Sequence, residues 1–401
     1  MMQQASQAMP LGKARKTSRR SGREVFVFDR WLLLAVVSLA GLGLVMVASA
    51  STSIAERQTG DAFYYLWRQL IYLGIALALA AAAFAVPMAY WKKAGPGLML
   101  LNVLLLLMVF IPGIGHEVNG SMRWVRLGAV NLQMSEFVKL FVILYLAGYL
   151  VRHAEAVQTS AGGFLRTLFV LVLLAVLLLL EPDYGAVAVM LMTAMGMVWL
   201  GGARLFQFLL LLLALSGALV LLILVSPYRM ERLTGFLNPW ADPFNSGFQL
   251  TQALIAFGRG EWFGVGLGAS VQKLFYLPEA HTDFLFAVLA EELGLITATL
   301  VIALFLLLVL RALRIGRRAE QRQRPYSAYV AYGMGIWIGL QAFTNIGVNM
   351  GILPTKGLTL PLMSYGGSSL VAIFVAIALL LRVDYETRRN DRSGQQEAWA
   401  W

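Results

Sequence analysis

The 401-residue chain is 59% hydrophobic and only 13% charged, with a mean hydropathy of +0.72, too little polar surface to cover one water-soluble core. It has no cysteine, which removes disulfides, thiolate metal sites and cysteine nucleophiles from consideration. A net charge of +11 raises nucleic acid as a partner, but the placement of that charge argues against it.

Residues 1–30 are polar, basic and without apolar periodicity, and read as a mobile tail. The first apolar segment, 31–48, is long enough to span rather than to serve as a short cleavable leader. Spans are predicted near 31–50, 67–86, 96–112, 135–151, 164–181, 184–200, 205–225, 284–310, 327–348 and 364–382. This makes an all-α polytopic membrane protein of about ten helices. Each span needs roughly 20 apolar residues, because the hydrocarbon layer is about 30 Å thick and a helix rises 1.5 Å per residue. Glu181-Pro182-Asp183 interrupts one long apolar stretch and favours a tight outer turn between two helices. The segment 226–283 is a large outer loop between the seventh and eighth helices. Within it, 247–257 is apolar but too short to span, and predicts a re-entrant or interfacial helix. Residues 383–401 read as a second mobile tail.

With an even number of spans and the N-terminus inside, the inner segments carry 22 of the 32 basic residues and eight of the 21 acids. Both termini are therefore placed in the cytoplasm. The basic excess is a topology signal first and a membrane-surface attraction second, and nucleic-acid binding is not expected.

The polar residues that are hard to explain structurally fall into four clusters, all on the outer side. In 277–286, Glu279, His281, Thr282 and Asp283 lead into a helix that continues to Glu291 and Glu292. A helix cap by Thr282 or Asp283 explains part of this. It leaves Glu291 and Glu292, about 12 Å deeper at 1.5 Å per residue, where ionisable groups are costly outside a polar cavity. In 119–126, Trp124 suits an interfacial belt, and its neighbours Arg123 and Arg126 suit an anion. In 135–139, Ser135 suits a cap and Glu136 an i,i+3 pair, whereas Lys139 sits a turn inside the bilayer. In 345–369, Asn345 and Asn349 share a helix face. A Pro/Gly-rich turn with Lys356 and Ser364 follows, then Gly366 and Gly367, which suit close helix packing. A lysine beside a helix N-terminus suits a phosphate. No nucleotide-binding loop, zinc pair or nucleophile elbow is present. On the residues alone, transporter, flippase and lipid-handling enzyme stand level.

The same clusters resemble the SEDS family (shape, elongation, division and sporulation). The matching stretches are NGSMRWVRLG at 119–128, MSEFVKL at 134–140 and EPDYGA at 181–186, with the long run 244–294 and NIGVNMGILPTKGLTLPLMSYGGSS at 345–369. Several independent motifs in order, from the third span to the tenth, make the resemblance specific. VQKL followed by LPEAHTDF, with the basic N-terminal tail, is closer to the division branch than to the elongation branch. The chain departs from the pattern at Phe275, where an acid is expected, and at Met134, where proline is usual.

The resemblance implies a peptidoglycan glycosyltransferase that polymerises lipid II at the outer face of the bacterial inner membrane, at the division septum. The 4-hydroxyl of one sugar attacks C1 of an undecaprenyl-pyrophosphate-linked strand with inversion. It implies Asp283 as the catalytic base. Lys139, Lys356 and Arg123 are then candidates for stabilising the pyrophosphate, with Trp124, Glu136, Glu279, His281, Thr282 and Ser364 shaping the cavity. A divalent cation, Mg²⁺ or Mn²⁺, is an expected helper. The implied partners are a class B penicillin-binding protein of the FtsI type, the FtsQ–FtsL–FtsB group and FtsN. A lipid II flippase is the alternative function, followed by an ion-coupled transporter using Glu291 and Glu292.

Overall fold

The computed structural model describes residues 28–118, 121–127, 130–159, 161–203, 234–354 and 357–398, with isolated positions between 204 and 233. Helix α1, Arg30–Thr59, opens on Asp29, whose carboxylate accepts from the Leu32 amide at 3.0 Å, and closes on left-handed Gly60. Helices α2, Tyr64–Ala85, and α3, Met88–Met108, are separated by Pro87, whose fixed φ ends the first and opens the second. Helix α3 therefore starts eight residues earlier than the expected span at 96, and carries Lys92 and Lys93 in its first turns.

The segment after α3 is a three-stranded antiparallel sheet in the order β1 (Gly115–Val118), β2 (Ser121–Leu127), β3 (Val130–Gln133). Sequence reading places only a loop there, because strands of four to seven residues give little periodic signal. The sheet matters through its alternation. Val125 pairs with Leu132 and is 1% exposed, so Arg123, two residues away on the same face, is also directed toward the protein.

Helix α4, Met134–Arg152, follows β3 without a break and is buried along most of its length. After the short α5, Ala154–Thr159, come α6, Ala161–Leu180, and α7, Tyr184–Leu200. Helix α8, Phe248–Gly260, is the short apolar helix expected inside the outer loop. It packs on α9, Leu285–Gln321, which itself packs against α1 and against α10, Pro325–Asn349. The last helix, α11, runs Gly367–Ala398 and packs on α2. The expected C-terminal tail at 383–401 is thus corrected: the helix continues to Ala398, with Val383, Asp384 and Thr387 buried.

Among the described residues six helices, α1, α2, α3, α4, α9 and the 367–389 part of α11, are long and apolar enough to cross a bilayer, and 168–180 and α7 are shorter apolar helices. The exposed side chains of Val37, Leu100 and Phe169 suit lipid rather than water. The span expected at 205–225 lies outside the described residues, as does nearly all of the N-terminal tail.

Few acids sit at the basic end of the bundle, and each described one there with burial is paired. Asp29 binds Arg311 and lies 3.6 Å from Arg388, Asp384 accepts from Arg388 at 2.8 Å, and Glu386 meets Arg324 and Arg382. These contacts tie α1, α9, α10 and α11 together.

Glu291 and Glu292, both 0% exposed, belong to a second anchoring network. Glu291 accepts from Arg259 at 2.8 Å, from the Ser270 hydroxyl and from the Val271 amide. Glu292 accepts from Lys273 at 2.8 Å and from the Ser49 hydroxyl at 2.7 Å. Helix α9 breaks its helical dihedrals at Gly294 (φ 75°, ψ −179°), which frees carbonyls for the loop after α8. Val265 donates to the Glu291 carbonyl and Gly266 to that of Glu292, at 2.9 and 3.0 Å. The two acids clamp the outer loop onto α9, so the basis for an ion-coupled transporter is gone.

Glycine is required where α8 meets this break. A Cβ on Gly260 would lie 1.9 Å from the Ala290 carbonyl oxygen, whereas at Gly258 nothing lies within 4 Å. Gly260→Ala is expected to lower the melting temperature in detergent, at a cost of about 1–3 kcal/mol. Gly258→Ala is expected to hold or raise it, since alanine suits a helix better.

Candidate active site at the outer end of the bundle

Asp283 sits immediately before α9, and neither it nor Thr282 caps that helix. The cap position is Phe284, which offers no side-chain acceptor. Asn349 replaces it from α10: its Oδ1 accepts from the Ala287 amide at 3.0 Å. The same two asparagines hold the residue itself. Asn345 Nδ2 and Asn349 Nδ2 donate to the Asp283 main-chain carbonyl at 2.8 and 2.9 Å. The i,i+4 amide face read from sequence is therefore a clamp on Asp283, and it leaves the carboxylate uncommitted. Among the described residues no donor meets it, and a Cβ on Gly357 would lie 3.1 Å from its Oδ2.

Burial, then the charges of Glu279 and Asp183, raise the Asp283 carboxyl against the opposing effect of Arg123, to about 7. A carboxylate with this pKa is divided between acid and base at neutral pH, as a general base requires.

Arg123 reaches from β2 toward Asp183, 3.9 Å away. Asp183 caps α7 through the Ala186 amide and accepts from Ser135 at 2.8 Å. Beside it Glu181 is 0% exposed with neither carboxyl oxygen partnered. Burial and then Asp183, opposed by Arg123, push Glu181 up to about 8. Sequence reading assigns 181–183 to a turn and stops there. The turn is correct, and the signal that it also carries site residues lies in two acids flanking a proline at the outer end.

Three sequence candidates move from contact to support. Lys139 is 2% exposed and donates to Glu136 and to Gln341, each at 2.8 Å, with its Nζ 5.4 Å from the Trp337 ring centroid. Gln341 in turn donates to the Thr359 carbonyl at 3.1 Å. Lys139 and Glu136 thus hold the 357–366 loop from beneath, and neither faces an open position as a pyrophosphate ligand needs. Ser364 accepts from the Leu360 amide at 2.9 Å while its carbonyl accepts from Gln69 at 3.2 Å, so it pins the same loop. Lys356 lies outside the described residues.

His281 is buried between Tyr65 and Tyr365, with ring centroids 4.7 and 5.6 Å away. Burial lowers its pKa from the ordinary value, which favours neutral imidazole, and its carbonyl accepts from the Tyr365 amide at 3.0 Å. Glu279 is exposed and accepts from Thr282 at 2.7 Å. Trp124 is half-buried on β2 opposite Gln133. At the departing position Phe275, Arg57 stacks 5.0 Å over the ring, a cation–π contact where an acid would supply an ion pair. The other departure, Met134, fills the first position of α4 and is 3% exposed. Among the described residues no three histidines or acids converge on a point that would hold Mg²⁺ or Mn²⁺ by protein ligands alone.

The raised carboxyls give a stability test. Below the unfolded value of 3.8 Asp283 is protonated in both states. Between 3.8 and about 7 the folded chain keeps a proton that the unfolded chain has lost, so stability falls as pH rises through that window. Asp283→Asn removes the effect. Its melting temperature relative to wild type is expected to be higher at pH 8 than at pH 5; an equal difference at both pH values contradicts the raised carboxyl.

The chain matches the FtsW/RodA/SpoVE family of cell cycle proteins over residues 30–389. The probable peptidoglycan glycosyltransferase FtsW of Nitrosococcus halophilus is 61% identical over 361 residues, which is 90% of this chain and 93% of that protein. That of Coxiella burnetii is 56% identical over 360 residues, 90% of this chain and 97% of that protein. Among solved structures, a chain of a peptidoglycan synthase complex that coordinates polymerization and crosslinking is 27% identical, with TM-score 0.74, covering 90% of this chain and 98% of that one. The rod shape determining protein RodA of Thermus thermophilus is also 27% identical, with TM-score 0.65 and coverage of 90% and 97%. With its motifs, its polytopic helical fold and these relatives in agreement, the chain belongs to the FtsW/RodA/SpoVE family of cell cycle proteins.

Proposed function

We propose that this chain is the peptidoglycan glycosyltransferase that polymerises lipid II at the outer face of the inner membrane during division. The observation that carries the reading is Asp283: clamped through its main chain, free at its carboxylate and poised near neutral pH, at the end opposite the basic inner end. The relatives named as peptidoglycan glycosyltransferases support it. A ten-helix topology with both termini in the cytoplasm follows from the charge distribution and puts Asp283 where lipid-linked precursor is displayed.

In the reaction, Asp283 removes the proton from the 4-hydroxyl of the acceptor sugar as that oxygen attacks C1 of the strand. The C1–O bond to the undecaprenyl pyrophosphate breaks, the configuration inverts, and the proton leaves with the carboxyl. Arg123 is the described cation at the site with spare donor capacity: its Nε is buried and unpartnered, and it suits the departing pyrophosphate. Lys356 is a second candidate by sequence. A divalent cation would then arrive with the substrate's pyrophosphate, and no step here is assigned to it. Trp124, Glu279 and Thr282 remain the candidates for shaping the cavity mouth.

A class B penicillin-binding protein of the FtsI type is the expected partner, supported by the similarity to a chain of a complex that coordinates polymerization with crosslinking. FtsQ, FtsL, FtsB and FtsN are the expected division partners.

Purified protein with its penicillin-binding partner and labelled lipid II tests the reading. Asp283→Asn is expected to lose polymerisation by at least about 100-fold while remaining folded, with a melting temperature no lower than wild type at pH 8. Wild-type activity is expected to rise between pH 6 and 8 as the carboxyl ionises. A folded Asp283→Asn that polymerises at the wild-type rate sinks the assignment.

A further inference from the structure

At the end of the bundle opposite Asp283, a bilayer-facing cavity of about 700 Å³ opens between α4 and α6. Its lining includes Tyr145 and Tyr149 from α4 and Arg166, Phe169, Val170 and Val172 from α6. Phe169 is 72% exposed, so one wall of the cavity is bare apolar surface.

The charge at its edge is unusual in direction. Arginines near a helix end ordinarily extend outward to the interface. Arg152 instead lies back along α4: its Nη1 is 3.1 Å from where a Cβ on Gly148 would stand, and its charge is near enough to act on Tyr145 of the cavity lining. Neither Arg152 nor Arg166 meets a carboxylate among the described residues. Two polar atoms near Arg152 are also buried without partners, His153 Nδ1 and the Tyr326 hydroxyl, while the His153 ring stacks on Tyr149 at 4.5 Å. Two cations, orphaned polar atoms and an apolar wall thus meet at one membrane interface. Such a setting suits an anion with a hydrocarbon part.

We infer that this cavity binds an anionic glycerophospholipid of the inner leaflet, its phosphate between Arg152 and Arg166 and an acyl chain along Phe169, Val170 and Val172. Basic pockets between helices on the cytoplasmic side are the usual form of such sites. The assignment of leaflet rests on the topology proposed above; the chemistry of the cavity does not.

The test uses the purified full-length protein and native mass spectrometry, with phosphatidylglycerol or phosphatidylcholine added. Wild type is expected to retain phosphatidylglycerol over phosphatidylcholine. Arg152→Gln with Arg166→Gln is expected to lower that retention about 10-fold. Arg152→Lys with Arg166→Lys is expected to restore most of it. Arg314→Gln with Arg317→Gln, which removes equal charge from the same end outside the cavity, is expected to change nothing. Retention by a folded Arg152→Gln/Arg166→Gln protein overturns the site, as does equal loss in the Arg314/Arg317 control. Displacement by millimolar inorganic phosphate overturns the lipid as ligand and leaves a free anion site. Unmodified protein gives an independent reading. A phosphatidylglycerol with a photoreactive acyl chain is expected to label 168–172, and labelling spread evenly over the lipid-facing helices contradicts the proposal. Because none of these measurements uses polymerisation, their failure is distinct from failure of the proposed activity.

Discussion

The Asp283 end of the bundle depends on two amides donating to one carbonyl. Asn345 and Asn349, a turn apart on α10, both bind the Asp283 main chain, and Asn349 also supplies the acceptor that α9 lacks at its start. A short polar side chain at the start of a helix ordinarily folds back to cap it. Here the cap comes from another helix, so the aspartate carboxylate is released from a structural duty. The clamp also fixes the height of Asp283 in the bundle, because α10 is itself held through Gln341, Lys139 and Glu136. Position and freedom of the acid therefore come from the same contact.

The bilayer sets the terms for every other ionisable group. A buried charge in such surroundings is tolerated when paired and hydrogen-bonded, and most here are. Asp29, Asp384 and Glu386 at the basic end, Lys139 and Glu136 in the middle, and Glu291 and Glu292 beneath the outer loop all have partners of opposite charge. Among the described residues, the carboxylates of Asp283 and Glu181 stand apart from this pairing, with no hydrogen-bond donor on either. The pairing pattern separates scaffold from site more sharply than depth does, since Glu291 and Glu292 are fully buried and still structural.

Span positions were legible because hydrocarbon thickness imposes a length that few other constraints mimic. Helices α1, α2, α4, α7 and α9 start within a few residues of where apolar runs begin. The Lys/Arg asymmetry is a sequence property that depends on those span positions. The small sheet was not legible, since four-residue strands in a polar loop carry almost no pattern, and neither was the continuation of α11 beyond 383. At the site, Asp283 stood out by residue type and by resemblance, and Asn345 with Asn349 by spacing. Lys139 misled because sequence shows depth but not partners. A lysine a turn inside the bilayer looks available until Glu136, one helical turn away, and Gln341, 202 residues later, are seen to occupy it.

Glu181 shows what kind of information is left over. Its carboxyl lies next to Asp183, which is fully engaged as a cap and as an acceptor for Ser135. Two carboxylates this close, sharing the influence of one arginine, do not ionise together readily. Glu181, pushed up to about 8, therefore holds its proton at neutral pH. That leaves Arg123 without a tight ion pair: the Asp183 carboxylate stands 3.9 Å away, and its Nε is buried without a partner. A protonated Glu181 is thus a physical reason why a cation at the outer end keeps capacity for an incoming anion. The two acids flank one turn residue between α6 and α7, so the arrangement is built into three consecutive residues.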